Sequence, residues 1–209
     1  MKSNRIGIVI LACFALTASA AELKLSTTDL EHGRLYLQQT QDLVVGATKG
    51  LSTQQWSFKP DPERWSIAEI VEHMVAAQEY ILGPVRQQLA KAPAPGERDT
   101  RRIDEIVIDQ MPDRTAKFKA PEFLQPTGHR APAQCMERLL KNYIELRKYL
   151  ENTPDLRAHA IEAPALKAIS KGAYDSIDGY QAILLVAAHT ERHTKQILEV
   201  RADAGFPAR

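Results

Sequence analysis

Cysteine is almost missing from this chain. Only Cys13 and Cys135 occur in 209 residues. If the first twenty residues are a leader, Cys135 stands alone and no intrachain disulfide can form, which excludes a disulfide scaffold. Aromatic residues make up 6% of the chain and formal charge is +1, with no basic run and no aromatic-basic interleaving. That balance gives no electrostatic footprint for nucleic acid. Alternating apolar-polar segments are short and unconvincing, which argues against a β fold. After the leader, no apolar run is long enough to span a bilayer.

What is present begins with Lys2 and Arg5, the apolar run Ile6 to Leu16, and Ala18-Ser19-Ala20. This reads as a secretory signal peptide cut after Ala20, and points to a periplasmic or secreted protein. A lipoprotein cut before Cys13 is the alternative, because Ile10-Leu11-Ala12-Cys13 loosely fits such a box. Residues 21–209 then form one domain of ordinary size.

Four long helices account for most apolar residues of that domain. The first runs from Asp29, read as its cap, to about Thr48. The second runs from Ile67 to about Lys91, with Ser66 and Glu69 as a capping box, Trp65 as a staple, and a kink at Pro84. A proline-rich connection, residues 92–133, follows, with a short helix around 101–107 and an extended piece at 115–118. The third helix spans Ala133 to Glu151, with Pro132 at its first position. After an irregular stretch, the last begins near Ser176 or Asp178 and ends near Ala202. The architecture is an all-α four-helix bundle with a long crossover connection.

The chemistry concentrates in His189-Thr190-Glu191-Arg192-His193. Two histidines four apart share one face of a helix, and the apolar run 182–188 before them carries them toward a core. Six histidines would give about 0.17 such pairs by chance, so the pair alone does not make a site. His73, at the edge of the second helix's apolar stripe, supplies a third imidazole from a facing helix. Three neutral imidazoles with open positions suit a catalytic divalent metal: zinc, nickel or iron(II). Glu191 lies about 200° around the helix from each histidine and points away from such an ion. With Arg192 it is assigned to the surface or rim. Gln196 shares the histidine face, either behind the ligands or as a polar core residue. Tyr80 is placed to line a pocket. His32 is read as exposed, and His129 as at most a rim contact.

The stretches Trp65 to His73, Ala120 to Gly128, Asp178-Gly179-Tyr180-Gln181, Ala187 to Ile197 and Gly205-Phe206-Pro207, taken in order, resemble the DinB-like superfamily of DNA-damage-inducible, metal-binding bundles. The resemblance covers nearly the whole chain after the leader. It implies an up-down-down-up bundle and a three-histidine metal site on His73, His189 and His193. It further implies one of three functions: a metal-dependent hydrolase acting on a small molecule, a thiol-dependent S-transferase or isomerase, or a non-catalytic metal-binding stress protein. An export signal departs from the cytosolic thiol-dependent members and favours the hydrolase. A homodimer paired along exposed helix faces is a further expectation.

Overall fold

The helices begin where local chemistry dictates. In the computed structural model, which describes residues 24–208, Ser26 caps α1 (Thr27–Thr48) by accepting the Asp29 N–H at 3.0 Å. The cap is thus three residues earlier than the expected Asp29, which instead places its charge in the first turn, where the helix dipole favours it. The stretch expected to be a leader, Cys13 included, lies outside the described residues. A short α2 (Thr53–Ser57) precedes α3 (Ile67–Tyr80). The expected capping box opens α3: Ser66 N–H donates to Glu69 at 2.7 Å, and Glu69 N–H donates to the Ser66 hydroxyl at 3.3 Å.

Pro84 acts as its chemistry requires. It has no N–H for the preceding turn, so residues Ile81–Val85 widen into a single π-helical turn before α4 (Arg86–Leu89) continues the rod. Next come α5 (Thr100–Gln110), a 3₁₀ turn at Glu122–Leu124, and α6 (Pro132–Asn152), which has Pro132 at its start. No strand forms at 115–118.

The second irregular stretch is more ordered than its sequence suggests. Strands β1 (Ala160–Glu162) and β2 (Ser176–Asp178) pair antiparallel, with Ile161 opposite Ile177, around α7 (Pro164–Ile169). Each strand is three residues long, too short for alternation to register in the sequence. Asp178 ends β2 and caps α8 (Gly179–Arg201) in a further capping box, with Gln181.

Cross-helix contacts set the topology. Near one end Tyr180 donates to the Asp29 carbonyl, and near the other Arg201 donates to the Ala47 carbonyl, so α1 and α8 run parallel. Arg138 pairs with Glu79, and Arg86 sits over the Tyr149 ring, so α3 and α6 also run parallel. Thr40 meets Tyr143 and Thr48 meets Met136, which makes α1 and α6 antiparallel. The bundle is up-down-down-up. Residues 90–131, including α5, join the parallel pair α3 and α6.

α8 is the central rod. It packs on α1, α3 and α5, and every residue from Gly179 to Ala188 is buried. That explains why its first half is almost wholly apolar. Ile183, Leu184 and Ile197 meet Ile70 and Met74 of α3 and Leu139 and Leu146 of α6 in one core. No helix among the described residues is long and apolar enough to cross a membrane.

Candidate metal centre

His73 from α3 and His189 and His193 from α8 converge. Nε2 of His189 lies 3.2 Å from Nε2 of His73 and 3.0 Å from Nε2 of His193. All three ligand atoms fall within 4.8 Å of one another. Trp65, just outside the α3 cap, lies against His73, with ring centres 4.9 Å apart, and against His193 at 6.5 Å. Rather than only stapling the helix, Trp65 walls the cluster.

The opposite ring nitrogens fix the tautomers. Nδ1 of His73 donates to the Leu124 carbonyl at 2.7 Å, and a carbonyl can only accept. Nδ1 of His193 donates to Oε1 of Gln196 at 2.7 Å, an oxygen that also receives Arg114. Neutral rings held this way turn an Nε2 lone pair toward the cluster. His189 can contribute one proton at most, so at least one close nitrogen pair has no hydrogen of its own. A cation relieves that opposition. Two imidazole nitrogens bound tetrahedrally at 2.0–2.1 Å from one ion stand about 3.3 Å apart, close to the spacing seen.

Electrostatics keep the rings neutral. Burial pulls the His73 pKa below its ordinary value, partly opposed by the Leu124 hydrogen bond. Burial drives His189 well below, helped by His73 and Arg192, and does the same to His193, helped by the two other histidines. Neutral imidazole is the form that binds metal. No carboxylate or thiol joins the cluster among the described residues. Cys135 is buried elsewhere, in α6.

Glu191 points away from the cluster, accepts Tyr36 Oη–H at 2.9 Å and pairs with Lys195. Gln196 holds the His193 ring from behind. Tyr80 packs on Phe123, with ring centres 5.0 Å apart. His32 is exposed and stacks on Tyr36, and His129 stands outside the cluster.

Arg192, expected at the surface or rim, is buried instead, because its guanidinium donates to the Met111, Asp113 and Ala116 carbonyls of the loop after α5. Sequence reasoning also missed Glu72, whose carboxylate binds Thr127 and Gly128. A carboxylate between Val71 and His73, among apolar helix positions, was the available signal.

The DinB superfamily profile matches residues 36–197, a span that contains the whole cluster. The chain belongs to the DinB superfamily. It is similar to the uncharacterized protein YuaE of Bacillus subtilis (strain 168), at 25% identity over 153 residues, covering 73% of this chain and 87% of YuaE. Its fold is similar to YfiT from Bacillus subtilis, at a TM-score of 0.57 and 14% identity, covering 88% of this chain and 91% of that one. YfiT is described as a probable metal-dependent hydrolase with an unusual four-helix bundle topology. The likeness of this DinB member to YfiT is one of fold.

Proposed function

We propose that this DinB-superfamily protein holds one divalent metal ion on His73, His189 and His193 and hydrolyses a small molecule with it. The observation that carries the reading is the convergence of three Nε2 atoms whose rings are neutral and, for two of them, fixed from behind. Imidazole ligands suit zinc, nickel and iron(II) alike. When bound with a coordination position open, such an ion supplies Lewis acidity toward water or a carbonyl oxygen.

The chain's own residues supply the rest. Leu124 and Gln196 hold two rings by hydrogen bonds to Nδ1, which sets their orientation and raises their basicity as ligands. Trp65 covers one side of the cluster and excludes water there. Reading residues 1–20 as a leader supports a site of action in the periplasm or outside the cell, away from cytosolic thiols. YfiT, which shares the fold and is described as a probable metal-dependent hydrolase, supports the reaction class.

The test is a panel of ester, amide and phosphoester substrates assayed with purified protein, with and without chelator. A turnover that chelator removes and added metal restores is the expected result. Turnover indifferent to chelator, or dependent on an added thiol, would replace hydrolysis by metal with another chemistry.

A further inference from the structure

The loop between α5 and α6 is tied to both ligand helices by residues that directly precede a ligand in sequence. Arg192, before His193, gathers the carbonyls of Met111, Asp113 and Ala116 on the loop's first limb. Arg114 on the same limb pairs with Glu199 at 2.6 and 2.8 Å and reaches the Gln196 oxygen that holds His193. Glu72, before His73, is 5% exposed and gives both carboxylate oxygens to the second limb. One accepts Thr127 Oγ1–H at 2.6 Å and the other accepts Gly128 N–H at 2.8 Å.

That second limb supplies the carbonyl that orients His73. Only Gln125 and Pro126 separate Leu124 from Thr127, and proline's fixed φ leaves this link little slack. Gly128, at φ +73°, makes the turn that aims its N–H at Glu72. Glu72 and His73 thus act as a pair: one holds the loop, and the loop holds the other. The 3₁₀ turn Glu122–Leu124 keeps Leu124 between Phe123, which packs on Tyr80, and the clamp.

We propose that Glu72 and Thr127 are positioning residues for the metal centre, fixing the Leu124 carbonyl so that His73 keeps its proton on Nδ1 and its lone pair on Nε2. This rests on the reading that His73 is a metal ligand. A purely structural role would not give Thr127, an exposed loop residue, any influence on an imidazole tautomer.

The test uses the whole protein with Thr127→Val, Thr127→Ser and Glu72→Gln. Two quantities are read: the ring ¹⁵N shifts of His73 in metal-free protein, and zinc affinity by competition with a chromophoric chelator. Thr127→Val is expected to shift His73 toward a mixture of tautomers and to weaken zinc binding by about 10–100-fold, the usual loss for an outer hydrogen-bond partner. Thr127→Ser restores both, and Glu72→Gln reproduces the loss. If Glu72→Gln does not fold, the threonine pair still decides. An unchanged His73 tautomer with zinc affinity within about threefold in Thr127→Val would overturn the proposal. Should the unaltered protein bind no zinc while the tautomer still shifts, the clamp stands and the metal reading fails.

Discussion

Replacing Arg157 by Met should destabilise the protein far more than an ordinary surface change. The Arg157 side chain is 8% exposed and pairs with Asp104 at 2.7 Å and Asp178 at 3.1 Å, with Asp29 at 3.5 Å. Its guanidinium also lies 4.5 Å from the Tyr180 ring centre. Methionine keeps much of the stem packing and removes the charge. Asp178, at 1% exposure, is then a buried carboxylate without its main partner. Breaking a buried pair in this way costs about 3–5 kcal/mol. For a domain of this size, each kcal/mol lowers the melting temperature by roughly 2–4 °C, so a drop of roughly 6–20 °C is expected. Arg98, whose charge also acts on Asp178, biases the result toward the low end. The assay is thermal unfolding followed by helical circular dichroism. Adding Asp178→Asn should recover part of the loss, because asparagine still caps α8 without the orphaned charge. A single-variant shift under about 2 °C would refute the view that this network secures the start of α8.

Other outcomes follow from the same geometry. Gly179→Ala would put a Cβ 2.9 Å from the Leu156 carbonyl oxygen, which Gly179 N–H already binds at 2.7 Å, and should cost about 1–3 kcal/mol in chemical denaturation. Gly46→Ala, where a Cβ meets nothing within 4 Å, should instead stabilise by about 0.5–1 kcal/mol, and a loss there would contradict the packing of α1. Acid should weaken the metal-free protein through the three clustered histidines, His73, His189 and His193. Their folded pKa values lie below the unfolded value of about 6.5, so the unfolded chain binds more protons in between. Their contribution is complete above about pH 6.5 and is lost as pH falls through the depressed values. Thermal midpoints against pH for the protein and His193→Ala should show the variant with the shallower slope; parallel curves would contradict neutral burial of that ring.

The site was legible where its signals were local. The pair His189 and His193 shares a helix face by spacing alone, and Ser66 with Glu69 marks the start of α3 from the sequence. Pro84 announced a disturbed helix, although its π-helical form follows from how the chain resumes at Arg86. What escaped depends on contacts between distant segments. Arg192 reads as a surface arginine until a loop some 80 residues away brings three carbonyls to it. Glu72 and Arg157 are hidden for the same reason: helix periodicity reports burial, not the partner that makes a buried charge tolerable. Ser26 displaced Asp29 as the first cap because both are good capping residues within three positions, and local preference does not choose between them.

The most direct measurement is the metal content of protein purified without a polyhistidine tag, compared across the unaltered chain and the single variants His73→Ala, His189→Ala and His193→Ala. About one divalent ion per chain in the first, and loss of most of it in each variant, is the expected result. Protein that carries no ion and takes none up from excess zinc, or a His73→Ala variant that keeps full occupancy, would contradict the three-histidine centre.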